Sequence, residues 1–265
     1  RISQRGIRMA YRGKVALVTG AGSGMGRLAA RTFAESGAKV AALDVSEKGL
    51  AETAQGLPGI RTFKVDVTDA AAMQNAVEEI ERELGPIDRV YNCAAIMPLG
   101  KLTEQDAAVQ HKIMSINVGG LINVTRFALP KMVERRRGDF VSFASMAGIV
   151  PTVYTGAYSA SKAAVLSYTE ILYHENLNSG VRFVCVCPPA VDTPLLDQGR
   201  KTVWPKMLDE GGDLLKPIDV INAIEDGLEK GTFMVFPNRN AKIGAFVRRF
   251  FPNLIWKQVH QVEGF

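Results

Sequence analysis

A tyrosine and a lysine lie four residues apart in the segment YSASK, at Tyr158 and Lys162. The surrounding pattern predicts a helix, which places both side chains on one face, one turn apart. A phenol with a pKa near ~10 is a poor base at neutral pH, so proton transfer requires that this pKa be lowered. An ammonium group about 5 Å away contributes about 3 kcal/mol toward that change in an effective dielectric of about 20. The pair therefore indicates acid/base chemistry by the tyrosine on a substrate oxygen.

A serine, Ser145, precedes Tyr158 by 13 residues, at the end of the apolar strand DFVSFA. Ligands bind at the carboxyl ends of strands in a parallel sheet, so the Ser145 hydroxyl is predicted to face the substrate oxygen. Taken singly, Tyr158 and Lys162 could be helix-surface residues and Ser145 a turn residue. Taken together with a cofactor site, they favour catalysis.

A glycine-rich segment, TGAGSGMG at residues 19–26, follows the apolar run KVALV and opens a predicted helix. Glycine allows a tight turn and a close approach to a pyrophosphate, and the helix N-terminus offers free amides and a partial positive charge. The order of strand, loop and helix predicts a dinucleotide site rather than a flexible turn. The predicted contacts in this glycine loop are Gly20, Ser23, Gly24, Met25 and Gly26.

An acidic residue, Asp44, ends the second apolar run, 18 residues after Gly26. Its carboxylate can accept hydrogen bonds from the adenosine ribose and would repel a 2′-phosphate, and the next residue is Val45 rather than Arg or Lys. These features favour NAD over NADP as the cofactor. The positive nicotinamide ring of NAD⁺ would also help to lower the pKa of Tyr158.

These residues must be positioned by alternating strands and helices. Seven short apolar runs alternate with helical patterns, which include long helices over about residues 104–134 and 157–178. The alternation predicts right-handed crossovers and a seven-stranded parallel sheet with helices on both faces, a doubly wound Rossmann-type α/β fold in one domain over residues 9–236. The runs are KVALV, KVAALD, IRTFKVDV, IDRVYN, DFVSFA, VRFVCV and TFMVF.

The composition excludes several classes of site. The chain of 265 residues is 47% hydrophobic, enough for one continuous core, and no apolar run is long enough to span a membrane. Three cysteines form neither a disulfide framework nor a zinc pair, and three separated histidines give no metal site or Ser/His/Asp triad. We therefore predict no metal and a cytoplasmic location, with Cys185 and Cys187 as small core residues of a buried strand.

The net charge of +5 is concentrated at the chain ends. The first residues are basic, and we interpret 1–8 as a disordered arm or an addition to the native chain that takes no part in the fold. Nucleic-acid binding would require aromatic residues interleaved on a basic groove, a pattern that the sequence lacks. No nucleic-acid partner is predicted.

The glycine loop, the YSASK segment and Ser145 together resemble the short-chain dehydrogenase/reductase family, over residues 14–236. The resemblance implies that Tyr158 exchanges the proton and that Ser145 orients the substrate oxygen. It also implies that Lys162 holds the nicotinamide ribose and that Asn117, in MSINVGG, supports a proton-relaying water. A homodimer or homotetramer formed through the long helices is implied as well.

Further cofactor contacts are implied before the catalytic segment. Asp66, followed by Val67, matches the acid beside the adenine, although it could instead cap the next helix. Where the family has NNAG this chain has NCAA, which keeps Asn92 and Ala94 as contacts but replaces the glycine by Ala95.

The loop after the sixth strand departs from the family pattern as well. Pro188 and Pro189 stand where the family has Pro-Gly, which removes an amide and stiffens the backbone. Val191 is a further implied contact, and Thr193 matches the residue that holds the nicotinamide carboxamide.

The variable region at about 194–216 is predicted to form a substrate lid. Its side chains are mainly apolar, which indicates a hydrophobic secondary alcohol or ketone as substrate. The predicted apolar lining is Leu195, Leu196, Val203, Trp204, Met207 and Leu208, with Met97, Met146 and Tyr154 facing it.

The tail at 237–265 contains a basic amphipathic helix that Pro252 ends. Packing of this helix on the domain or on another subunit is favoured, and peripheral contact with a membrane stays open. Its apolar side is Ile243, Phe246, Val247, Phe250 and Phe251.

The leading functional hypothesis is an NAD(H)-dependent oxidoreductase that interconverts a hydrophobic secondary alcohol and its ketone. The alternative is an NAD-binding scaffold or sensor with little catalysis, which the changed residues Ala95 and Pro189 keep open.

Overall fold

The structure is a computed structural model that describes residues 14–209 and 214–265. The predicted basic arm at 1–8, the first residues of the predicted domain and positions 210–213 of the predicted lid lie outside the described residues.

A single parallel sheet of seven strands forms the centre of the fold, in the order β3-β2-β1-β4-β5-β6-β7. The sequence prediction of a doubly wound parallel sheet is confirmed. The order reverses direction between β1 and β4, which opens a crevice at the carboxyl ends of these two strands. The strands are β1 Val15–Thr19, β2 Lys39–Asp44, β3 Ile60–Lys64, β4 Arg89–Asn92, β5 Gly138–Phe143, β6 Val181–Val186 and β7 Met234–Val235.

Helices cover both faces of the sheet, and several begin at a side-chain cap. Ser46 accepts from the Gly49 amide at 3.1 Å and Asp69 from the Ala72 amide at 2.9 Å. The helices are α1 Gly24–Glu35, α2 Glu47–Ala54, α3 Ala70–Glu83, α4 Ala107–Met114, α5 Gly120–Glu134, α6 Gly156–Glu175, α7 Pro194–Arg200, α8 Pro217–Lys230, α9 Arg239–Phe250 and α10 Pro252–Glu263.

The helix predicted over about 104–134 is two helices, α4 and α5, joined by a π-helical turn at Ser115–Gly119. A π-helical turn inserts one residue into the helical repeat, so it changes which side chains face inward. Here it turns Asn117 into the protein, where this side chain is only 2% exposed. Apolar periodicity alone does not predict such an insertion.

The core lies on both faces of the sheet, since most strand residues are fully buried. Cys185 and Cys187 are 0% exposed core residues, as predicted. At the amino end of the sheet, Arg89 donates to Asp139 at 2.6 Å and to Glu225 at 2.5 Å. Charged groups thus hold the amino end together, while the carboxyl end forms a crevice.

The tail forms two helices, because Pro252 ends α9 and then occupies the first turn of α10. The Met207 amide donates to Glu263 at 2.8 Å, which joins α10 to the segment predicted to form the lid. The predicted apolar side of α9 is turned outward: Phe246 is 59% exposed and Phe250 57%. The inward side carries small residues such as Ala241. In the described ranges, no helix has both the length and the apolar character that crossing a bilayer requires.

Candidate active site

A cavity of about 1180 Å³ lies at the carboxyl ends of the strands. Each strand from β1 to β6 supplies a lining residue at its last position or just beyond it, as expected for ligand sites in this architecture. These residues are Gly20, Asp44, Val65, Cys93, Ala144 and Pro188.

The glycine loop forms the floor of this cavity near α1. Gly20 has φ +64°, and a Cβ at this residue would lie 2.9 Å from the Ala94 backbone. A Cβ on Gly26 would lie 2.2 Å from the Gly20 carbonyl oxygen. Ser23 precedes α1 but makes no side-chain cap, so its side chain leaves the first-turn amides free to bind an anion. This cradle fits a pyrophosphate group.

Asp44 is fixed at the edge of the glycine loop by two backbone amides. Its carboxylate accepts from Gly22 N and from Ser46 N, each at 2.9 Å. A carboxylate has about four lone-pair positions, so capacity remains to accept from ribose hydroxyls. Among the described residues that line the cavity, the cations are Lys112 and Lys162.

Of the four further cofactor contacts predicted before the catalytic segment, three line the cavity and one does not. Asp66 and Val67 line the cavity, and Asp66 accepts from the Thr68 amide at 2.9 Å, while α3 is capped by Asp69 instead. Ala94 also lines the cavity.

Asn92 lies behind the cavity wall instead. It is buried and accepts from the Thr19 hydroxyl at 3.0 Å, and this hydroxyl accepts in turn from the Ala94 amide at 3.2 Å. Asn92 therefore holds the loop after β4 against β1.

Tyr158, Lys162 and Ser145 also line this cavity. Tyr158 is 7% exposed and Lys162 4%. The Lys162 ammonium lies 5.8 Å from the centre of the Tyr158 ring and donates to the Phe143 carbonyl at 2.7 Å. Ser145 accepts from the Ala147 amide at 3.1 Å, which fixes its hydroxyl near the tyrosine.

The pKa of the tyrosine differs from the sequence prediction. Burial raises the pKa of Tyr158 to about 12, and the hydrogen bond with Ser145 offsets only part of this rise. Burial also lowers the pKa of Lys162 to about 8. The lysine does not lower the tyrosine pKa as expected, because both groups are desolvated and the ammonium points at the Phe143 carbonyl. The chain by itself therefore keeps the phenol protonated at neutral pH.

The buried lysine gives a test by pH. Since the folded pKa of Lys162 is lowered from 10.5 to about 8, its charged form destabilises the fold at neutral pH, and stability rises as pH increases through this window. We expect the unfolding free energy of wild type to gain about 2 kcal/mol relative to Lys162→Met between about pH 7 and pH 10. Urea unfolding of both proteins at both pH values measures this gain. A difference that does not change with pH would show that the ammonium is well solvated.

Asn117 joins two parts of the site from behind the cavity. Its side chain accepts from the Ile96 amide at 2.9 Å, and donates to the Ile96 carbonyl at 3.1 Å and to the Ser161 hydroxyl at 2.9 Å. Ser161 lies on α6 between Tyr158 and Lys162. Asn117 thus connects the loop after β4 to the helix that carries Tyr158 and Lys162. Sequence reasoning did not identify Ile96 and Ser161 as its partners.

The loop after β6 closes another side of the cavity. The Pro188 carbonyl accepts from the Met146 amide at 2.9 Å, and Val191 forms a parallel bridge with Leu215. Thr193 precedes α7, and its Cβ lies 3.5 Å from where a Cβ on Gly24 would be. Both Val191 and Thr193 line the cavity, next to the glycine loop.

The part of the cavity lined by the predicted lid residues is apolar. Val203 and Trp204, predicted to line it, pack instead in a small cluster with Tyr158, and Tyr154 packs toward the Phe265 ring at 6.2 Å. The predicted residues that do line the cavity are Leu195, Leu196, Met207, Leu208, Met97 and Met146.

The tail contributes cavity residues that sequence reasoning missed. Helix α10 was not predicted, although Pro252 in its first turn and apolar residues at 255, 256, 259 and 262 have helical spacing. A Cβ on Gly244 would lie 3.7 Å from the Met146 side chain, so α9 reaches the part of the cavity next to Ser145. The tail residues lining the cavity include Asn238, Ala241, Gly244, Ile255 and Val259.

Comparison with known proteins gives consistent matches. The family model described as short chain dehydrogenase matches residues 14–204, which include the glycine loop and the YSASK segment. Among curated proteins, 17-beta-hydroxysteroid dehydrogenase 13 of Rattus norvegicus is 29% identical over 264 residues, or 97% of this chain and 85% of the rat protein.

Two solved structures are similar over most of the chain. A short chain dehydrogenase/reductase from Burkholderia phymatum in complex with NAD has a TM-score of 0.82 at 28% identity, over 91% of this chain and 95% of that one. A variant of actinorhodin polyketide ketoreductase with NADPH has a TM-score of 0.77 at 27% identity, over 84% and 95%. Structures similar to this chain thus contain either nicotinamide dinucleotide.

Proposed function

The chain belongs to the short-chain dehydrogenase family of oxidoreductases, and we propose that it interconverts a hydrophobic secondary alcohol and its ketone with NAD(H). The observation that supports this most is one shared cavity. The glycine loop, Asp44 and Tyr158 all line it, and most of its lining is apolar.

The cofactor proposal rests on the glycine cradle and on Asp44. The loop amides would hold the pyrophosphate, and the anchored Asp44 carboxylate would accept from the adenosine ribose. Bound NAD⁺ would supply the hydride acceptor and a positively charged ring. Two cavity residues, Asp44 and Val45, support NAD over NADP as the cofactor. The Asp44 carboxylate would repel a 2′-phosphate, and Val45 adds no cation beside it.

Substituting Asp44 and Val45 together tests the cofactor preference. We expect the double variant Asp44→Ser with Val45→Arg to change the ratio of NADPH to NADH affinity by about a hundredfold toward NADPH, since it removes a repulsive charge and adds a guanidinium. Fluorescence titration with each reduced cofactor measures the ratio. Val45→Ser is the matched control and should keep the NADH preference. Tighter NADH binding by the double variant would contradict the role of Asp44.

In the proposed mechanism the tyrosine moves the proton. During ketone reduction, the protonated Tyr158 hydroxyl donates its proton to the substrate oxygen, and during alcohol oxidation the phenolate accepts it. The Ser145 hydroxyl orients that oxygen, because its own position is fixed by the Ala147 amide. The Lys162 ammonium, 5.8 Å from the ring centre, would hold the nicotinamide ribose, and the positive ring of bound NAD⁺ would stabilise the phenolate. The raised pKa of Tyr158 keeps the phenol protonated in the chain alone, which is the form that ketone reduction requires.

Asn117 is proposed to support this proton transfer without touching the substrate. Its contacts with Ile96 and Ser161 hold the loop after β4 against the second turn of α6. In the proposed role it also supports a water that relays protons from Lys162.

The apolar lining supports a hydrophobic substrate. Rates for a series of secondary alcohols of increasing apolar size test this, since each buried CH₂ is worth about 0.8 kcal/mol, or about fourfold. We expect kcat/KM to rise with size until the cavity is filled. A preference for small polar alcohols would contradict the substrate class.

A scaffold that holds NAD without efficient catalysis is the second candidate. Two observations favour it: the chain alone raises the Tyr158 pKa, and Ala95 and Pro189 depart from the family pattern. A scaffold would bind NADH stoichiometrically and consume none of it when offered hydrophobic ketones. The oxidoreductase would oxidise it.

The proposal includes self-association and location. Apolar residues on α5 and α6 are exposed, Ile122 at 43% and Ile171 at 56%, and they support a homodimer or homotetramer through these helices. Sedimentation velocity tests this.

The outward apolar side of the tail supports peripheral membrane contact. The three free cysteines support a reducing, cytoplasmic setting.

A further inference from the structure

The outward side of the tail carries large apolar side chains that are exposed to solvent. We name it the tail face and define it as Ile243, Phe246, Phe250, Phe251 and Leu254. The exposed fractions of these side chains run from 48% to 59%, and the rings of Phe246 and Phe250 lie 4.8 Å apart. Bulky apolar side chains grouped in this way mark an interaction surface, whereas singly exposed ones do not.

The charges beside the tail face have one sign. Residues 239–262 contain five Lys or Arg and no Asp or Glu. Lys242, Arg249 and Lys257 are exposed, and the Arg249 guanidinium lies 6.0 Å from the Phe250 ring centre. A second copy pairing this face with itself would bring the Lys and Arg side chains of the two copies together, because the one acid of the tail, Glu263, accepts from the Met207 amide. A surface of anionic lipid headgroups complements both the charge and the aromatic side chains.

The opposite side of the same helices lines the cavity. Ala241 and Gly244 of α9 and Ile255 and Val259 of α10 line it, while the tail face points outward. A lipid surface bound at the tail face would therefore lie one helix thickness, roughly 10 Å, from the substrate side of the cavity.

We propose that the tail face docks on an anionic lipid surface and that the substrate is a lipid-resident alcohol or ketone drawn from that surface. This substrate assignment rests on the proposed function. The docking itself depends only on the tail, so the two are tested separately.

The docking test is cosedimentation of the full chain with vesicles of phosphatidylcholine containing phosphatidylglycerol, compared with phosphatidylcholine alone. The variant Phe246→Ser with Phe250→Ser should lower the partition coefficient more than about tenfold. The variant Lys242→Glu with Arg249→Glu should lower it by at least about fivefold per charge. Leu177→Ser, at a 56% exposed position just after α6, is the matched control and should bind like wild type.

The substrate route is tested with two alcohols of the same reactive group, one carried in the vesicles and one short and water-soluble. In the phenylalanine variant, turnover of the vesicle-borne alcohol should fall with vesicle binding, and turnover of the soluble one should stay at the wild-type level. Absence of turnover with both alcohols, with vesicle binding intact, would remove the proposed function but leave the docking.

Three results would overturn the docking. The first is wild type that stays in the supernatant at low salt, and the second is a phenylalanine variant that binds vesicles as tightly as wild type. The third is a phenylalanine variant whose oligomeric state in sedimentation velocity differs from that of wild type, when neither the variant nor wild type binds vesicles. That result would make the tail face a subunit interface.

Discussion

Tyr158→Phe is expected to lower kcat by about a thousandfold, because general acid/base catalysis typically contributes a factor of about 10² to 10⁴. The substitution removes the only phenolic oxygen proposed to exchange a proton with substrate, and leaves the ring packed in its apolar cluster. NADH binding should stay within about twofold of wild type, since the phenyl ring keeps its volume. Stopped-flow oxidation of NADH by a hydrophobic ketone measures the rate, and fluorescence titration measures the affinity.

The matched control for this experiment is Tyr168→Phe, a tyrosine on the same helix α6 but outside the cavity residues. It should keep wild-type kcat and affinity. Full turnover by Tyr158→Phe with normal NADH affinity would assign proton transfer to another group.

Gly26→Ala is expected to weaken NADH binding by about a hundredfold or more and to lower the unfolding free energy by about 1 to 3 kcal/mol. The added Cβ would lie 2.2 Å from the Gly20 carbonyl oxygen, so the backbone of the glycine loop must move. Movement of this loop misplaces the amides at the start of α1 that are proposed to hold the pyrophosphate. Calorimetric titration with NADH and urea unfolding measure the two effects.

Gly119→Ala provides the comparison. Gly119 has helical φ −58°, and the nearest atom to an added Cβ is the Ser115 hydroxyl oxygen at 3.9 Å. NADH affinity and stability should therefore stay near those of wild type. If Gly26→Ala binds NADH as well as Gly119→Ala does, the loop is not the pyrophosphate site.

Local patterns predict the sheet and the glycine loop because each depends on residues close in sequence. A strand buried on both faces reads as a short apolar run, and a loop that approaches a neighbouring strand requires glycine at positions such as Gly20. The position of the Asp44 carboxylate at the edge of the cavity could be predicted because Asp44 is the last residue of β2.

The features that sequence did not predict depend on contacts between distant segments. The π-helical turn at Asn117 is tied to Ile96 and Ser161, which lie 21 and 44 residues away. Which side of α9 turns inward depends on its packing against α10. The apolar pattern around Phe246 therefore predicted an amphipathic helix but not which of its sides is exposed. The Tyr158 pKa depends on burial by several elements, which spacing to Lys162 alone does not include.

The central claim is that hydride passes between a hydrophobic secondary alcohol and a nicotinamide in the described cavity. The most direct measurement uses alcohols carrying deuterium on the carbinol carbon, incubated with the protein and NAD⁺, with the reduced cofactor analysed by mass spectrometry. We predict that deuterium appears in NADH with wild type and is nearly absent with Tyr158→Phe. Stoichiometric NAD⁺ binding with no label transferred from any alcohol in the size series would contradict the claim and favour the scaffold.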